Sequence, residues 1–364
     1  MTTIAVRALA ANFPLVSRGN PSFRTLPERV EEITGLVKQA AGADEPQSFA
    51  ARALNLAALT ASDIGMPERA RQLCMQQLAI YQQRAPLTGK QAAYMLEAAL
   101  NLARLRIREC RGRTAWTMIN DMFRALEQQT DLVIEGVMLP LAELDDAPVY
   151  RSSLLQWAWK TLLVEGLRAL LSDGDWGGAY QAAIAHRGIA GHLMEGRQIQ
   201  IVHSLLDGRV QDAIEILEAS QLEAAWENHT ASCLLVLCRI ANDTPADDEA
   251  EAMVEIYLAA APQTGSEVHH ARWGVTALRL AEHTRPDLAS RVIESLADTA
   301  IESEDANAAR TVLAALAPTS LDTTRTSALN TLVEAAWLRR GTFPCELEHD
   351  LAEAIAAAQE ILAT

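Results

Sequence analysis

Apolar positions recur at three- and four-residue spacing through most of the chain, the rhythm of helices that bury one stripe and wet the other. Ile199, Val202, His203 and Leu206 fall on one stripe before Gly208, and Val210, Ala213, Ile214 and Leu217 on one stripe after it. Neither helix can bury its stripe alone, so the pattern predicts stacked helix pairs, about fourteen helices in all. One stretch, 130–150, breaks the rhythm. There Val133, Ile134, Val137 and Leu139 flank Glu135-Gly136, and Pro140 and Pro148 follow, which predicts a short hairpin or extended insert.

Glycines punctuate the helices. Gly174 and Gly208 stand 34 residues apart, and each is followed five residues later by an alanine, Ala179 and Ala213. Gly65 has Pro67 beside it and Ala70 five residues on, and Gly112 separates two further helical runs with Thr117 in the alanine's place. A glycine that ends one helix and a small residue that lets the next pack closely make a helix-turn-helix repeat. On the turns at Gly65, Gly174 and Gly208 the chain resembles the tetratricopeptide-like (TPR-like) helical repeat proteins common in actinobacterial proteomes. The resemblance implies an all-α, right-handed α-α superhelix, a solenoid of degenerate repeats with a short extended insert. Pro14, Gly19, Pro21 and Pro27 break up residues 1–27, which are expected to form an N-terminal arm without a clear helix. Such an arm either packs along the first repeats or is disordered, and its apolar Ile4, Val6, Leu9 and Phe13 favour packing. Residues 28–364 are then expected to form a single solenoid, whose acidic half, 181–364, ends in the capping helix ELEHDLAEAIAAAQEILA.

Composition supports the helical class, because Ala and Leu dominate and runs of β-branched residues are nearly absent. The net charge of −16 lies wholly in residues 181–364, which also hold all eight histidines. Nucleic-acid and membrane partners are therefore not expected, since both need a basic footprint. Five cysteines, an apolar setting for Cys233 and Cys238, and no visible leader or spanning segment point to a reduced, cytoplasmic protein.

Arg104, Arg108 and Arg111 share one side of a helix with Asn101 and Glu97. In a solenoid such a stripe can face the concave groove, where guanidinium forks bind carboxylate or phosphate groups of an extended peptide. Glu135 in the insert, and His186, His192 and Arg197 around the glycines Gly191 and Gly196, complete the expected partner-binding set. Glu267 with His270, and Glu346 with His349, have the Glu-x-x-His spacing of di-metal bundles, but the two further glutamates such a site needs are not evident, so no metal is expected. Phosphate-loop, dinucleotide, metalloprotease and nucleophile-elbow signatures are missing, and no cofactor or catalytic residue is expected. The reading is a non-enzymatic scaffold that holds a peptide or protein partner in its groove, with a homodimer possible. Two alternatives stand beside it: an enzyme or accessory subunit acting on an acidic or phosphorylated peptide, with His186 or His192 moving the proton, and a ligand-sensing regulatory module.

Overall fold

Helices make up almost all regular structure in the computed structural model, which describes residues 3–19, 25–84, 86–144, 147–317 and 319–364. A short helix α1, Thr3–Leu9, runs into a 3-10 turn, Ala10–Asn12. Then come α2 (Leu26–Ala40), α3 (Pro46–Asp63), α4 (Pro67–Gln82), α5 (Gly89–Arg108) and α6 (Gly112–Gln128). Strands β1 (Leu132–Ile134) and β2 (Val137–Leu139) precede α7 (Ala147–Thr161), which a π-helical turn, Leu162–Gly166, joins to α8 (Leu167–Ser172). The next helices are α9 (Trp176–Ala185), α10 (Glu195–Leu206), α11 (Val210–Glu218), α12 (Ala225–Ala241) and α13 (Asp247–Ala259). They are followed by α14 (Glu267–Thr284), α15 (Ala289–Glu302), α16 (Ala306–Ala315), α17 (Thr323–Ala335) and α18 (Cys345–Ala363). The excess over the expected number comes partly from α1, in a segment read as irregular, and from the π turn that divides one long helix into α7 and α8.

The chain folds as two compact units, one formed by Leu26–Asp175 with Trp337–Thr364 and the other by Met1–Thr25 with Trp176–Ala336. The expected 1–27 arm and single array over 28–364 did not anticipate this division. In the first unit the last helix, α18, expected to cap the end of the array, packs on α2 and α3. The 337–341 loop makes that return. Arg339 N–H donates to Asp63 O at 3.0 Å and Gly341 N–H to Ile64 O at 2.8 Å, so the loop seals the end of α3 beside Gly65. Gly65, Gly174 and Gly208 all have positive φ (89°, 72° and 75°), the backbone state that their turns require. Ala70, Ala179 and Ala213 are buried, as close helix packing needs.

Gly112 serves differently from the other turn glycines. The left-handed residue of its turn is Cys110 (φ 57°), and Gly112 opens α6 with its N–H held by Asp173 Oδ1 at 2.9 Å. A Cβ at Gly112 would lie 2.0 Å from Ala169 O, a backbone atom that cannot step aside cheaply. Gly112→Ala is expected to destabilise this unit by about 1–3 kcal/mol through overpacking, read as a lower urea midpoint.

The insert is a hairpin, with Leu132 opposite Leu139 and Ile134 opposite Val137. Glu135 (φ 47°) and Gly136 (φ 84°) give its turn the paired positive φ angles favoured in two-residue hairpin loops. Leu132, Ile134 and Leu139 are buried, while Val133 and Met138 face solvent.

In the second unit neighbouring helices pair as α10 with α11, α12 with α13, α14 with α15 and α16 with α17. Val6, Ala10 and Phe13 of the N-terminal segment are buried there, whereas Ile4, expected to pack, is exposed. Next to them sits an aromatic cluster. Trp273 stacks on His229 with centroids 4.0 Å apart, and Tyr257 lies 5.1 Å from His270 and 5.0 Å from Trp273. Burial, reinforced by the neighbouring His229, lowers the His270 pKa from 6.5 to about 4. A histidine with a depressed folded-state pKa contributes stability above the unfolded value of about 6.5, and that contribution is lost as pH falls from there to about 4. Urea titrations at pH 7.5 and pH 4.5 should differ by about 2–3 kcal/mol from this group, and a His270→Leu variant should flatten the difference.

Candidate functional site

Residues 13–16 form neither helix nor strand between the 3-10 turn and the exposed Gly19, and all four are buried. A segment outside helix and sheet has no ladder to satisfy its main-chain polar groups, so its burial demands partners from elsewhere. Side chains on three alternate helices supply them. From α10, Gln198 accepts the Leu15 N–H at 2.7 Å on Oε1 and donates from Nε2 to Leu15 O at 3.0 Å, reading both polar atoms of one residue. Its Nε2 also donates to Leu193 O. From α12, the Thr230 hydroxyl donates to the same Leu15 O at 3.0 Å. From α14, Arg272 Nη2 donates to Asn12 O at 2.7 Å and reaches Pro14 O at 3.4 Å.

Charge closes the far end. Arg18 Nη2 meets both carboxylate oxygens of Glu195 at 2.9 Å, and Glu195, in the first turn of α10, is almost fully buried. Phe13, Leu15 and Val16 bury their side chains between these polar contacts. Together these contacts fix the segment's backbone by amide, hydroxyl and guanidinium, its side chains by apolar burial, and its cation by a carboxylate.

The start of α12 carries a second polar assembly. Glu227 Oε1 accepts the Leu193 N–H at 3.2 Å and faces His192 Nδ1 at 3.2 Å, while Oε2 accepts the N–H groups of Glu223 (3.0 Å) and Ala224 (2.9 Å). Burial acts to raise the Glu227 pKa, but these bonds outweigh it and hold the carboxyl below its ordinary value. The assembly pins the 188–194 loop, which leads directly into α10.

The expected site residues divide between the two units. In Leu26–Asp175 with Trp337–Thr364, Asn101 is buried and donates to Asn55 Oδ1, and Arg104 joins Asn101 at 3.1 Å and Glu165 of the π turn at 2.9 Å. Arg108 pairs with Asp63 at 2.6 Å, and Arg111 lies 4.0 Å from Glu109. Glu135 is clamped by Arg71, at 2.6 Å, and by Arg106, which ties the hairpin to α4 and α5. Most of the stripe is thus engaged by carboxylates of this same unit, so an outside anion would have to displace them. Beside it, burial raises the Glu97 pKa against the pull of Arg104 and Arg52.

In the other unit, His192 is oriented by Glu227, and half-buried His186 lies at the end of α9. Arg197 donates to Ser220 Oγ at 2.7 Å, Ile216 O at 2.8 Å and Ala190 O at 3.1 Å, fastening α11 and the loop to α10, and burial lowers its pKa. Gly196 permits a close approach that the sequence hinted at, but the neighbour is backbone, Gly188 O, at 2.2 Å from where a Cβ would stand. The residues that grip the 13–16 segment, Gln198, Thr230, Arg272 and Glu195, were not part of the expected set. The available signal was a polar Gln198 between Arg197 and Ile199, too weak to separate it from a surface glutamine.

Among the described residues, no group of three or more His, Cys, Asp and Glu side chains is placed to hold a metal ion, and no helix is long and apolar enough to cross a membrane. His349 faces Glu353 at 3.2 Å, and Glu267 Oε1 accepts the Gly265 N–H at 2.9 Å. No family model, curated protein or solved structure matches the chain.

Proposed function

We propose that this chain is a helical-repeat protein that binds an extended peptide segment of a protein partner in the groove lined by α10, α12 and α14. The observation that carries the reading is the bidentate grip of Gln198 on the Leu15 main chain, supported by Thr230 and Arg272. Contacts to N–H and C=O groups are indifferent to side-chain identity, so the same groups suit another extended peptide, and the apolar seats supply the sequence preference. Three alternate helices contribute one polar group each, and a stacked-repeat reading of the chain would place such helices along one face. The Arg104–Arg108 stripe is left out of this site because its guanidiniums already face carboxylates.

The test is panning of displayed random peptides on the full chain cut at a protease site placed between Gly19 and Thr25, with counter-selection on a Gln198→Ala/Arg272→Ala variant cut in the same way and shown to be folded by circular dichroism. Peptides that bind the first protein and not the variant support the reading. If no peptide is enriched, or the enriched ones bind both equally, the groove is not a peptide site.

A further inference from the structure

We infer that residues 12–18 are a self-ligand of this groove, and that its partner peptide has the same chemistry: extended, apolar where Phe13, Leu15 and Val16 sit, and cationic where Arg18 sits. The inference rests on the peptide-binding reading and adds both the ligand class and a mode of regulation.

Four features separate the segment from an ordinary piece of core. Its main chain is held by side chains rather than by a helix or sheet ladder, with Gln198, Thr230 and Arg272 each reaching it across more than 180 residues of sequence. Its buried residues, 13–16, are consecutive, so the segment is seated on every side rather than along one stripe. Its cation, Arg18, meets both oxygens of the buried Glu195 carboxylate, a fork geometry that suits a guanidinium. It is also followed by the exposed Gly19, a place where the chain can leave the groove.

A tethered occupant competes at an effective concentration of order mM. For a groove whose intrinsic affinity is about 10 μM, that occupancy weakens an outside peptide by about 100-fold. Release of the segment would switch the groove on.

The experiment inserts a protease recognition sequence between Gly19 and Thr25 of the full chain and compares intact and cleaved protein. The probe is a fluorescein-labelled peptide of residues 10–19, AANFPLVSRG, followed by fluorescence anisotropy, with circular dichroism to confirm that the cleaved protein stays folded. The cleaved protein should exchange its own segment for the probe and bind it about 100-fold more tightly than the intact chain. A probe carrying Arg18→Glu should lose at least about tenfold, a change made on the peptide so that protein folding is untouched. Failure of the probe to enter cleaved, folded protein would overturn the inference, as would equal binding to intact and cleaved forms. Light scattering that finds dimers exchanging their segments would also overturn it, by giving the groove to a second copy. If the panned peptides still need Gln198 and Arg272 while this probe fails, the peptide site stands and only the self-ligand falls.

Discussion

Gln198→Leu should lower the stability of the unit containing α10 by about 2–5 kcal/mol, although leucine fills much of the same space. The side chain makes three hydrogen bonds in a fully buried setting, to Leu15 N–H, Leu15 O and Leu193 O. Leu15 O keeps the Thr230 hydroxyl. The Leu15 N–H and Leu193 O lose the Gln198 contacts, and each buried polar group stripped of a partner costs about 1–3 kcal/mol. Because the chain has two units, the change should appear in one urea transition and leave the other in place. A loss below about 1 kcal/mol would mean that the amide does not hold the segment.

The second large effect is expected at Glu227. Its carboxylate accepts from three backbone N–H groups and orients His192. Glu227→Gln keeps the shape, but whichever way the amide is turned its NH2 group confronts donors. We expect a loss of about 2–4 kcal/mol and faster amide exchange in the 188–194 loop, since one charged acceptor is removed and at least one buried N–H is left unpaired. A depressed carboxyl pKa gives the sign of its pH dependence. The stabilisation is present above the unfolded value near 4.3 and is lost as pH falls through the lower folded value, so wild type and variant should converge in acid. Equal stability at neutral pH would show that the loop is held by other contacts.

The sequence was most informative where structure is local. Apolar spacing located the paired helices, Glu135-Gly136 marked the hairpin, and Gly65, Gly174 and Gly208 marked left-handed turns, because each of these is decided within a few residues. Gly112 was read as the same kind of turn, yet its glycine is needed for contact with Ala169 O, a neighbour that spacing does not reveal. Likewise, the return of α18 to α2 and α3 depends on the bonds from Arg339 and Gly341 to the end of α3. Arg104 and Arg108 share α5 as expected, but Arg111 lies past the left-handed Cys110 as the N-cap of α6, and Glu165 and Asp63, which engage the other two, lie on other elements. Gln198 shows the limit most clearly. In sequence it is one more polar residue in an amphipathic helix, and only its distance to Leu15, 183 positions earlier, gives it a role.

The most direct test of the central claim is hydrogen exchange of the intact chain with and without a saturating peptide selected by panning. The account predicts slowed exchange in α10, α12 and α14 together with faster exchange in residues 13–18 as the bound peptide takes their place. Protection that falls instead on α5 around Arg104 and Arg108, with 13–18 unchanged, would contradict it.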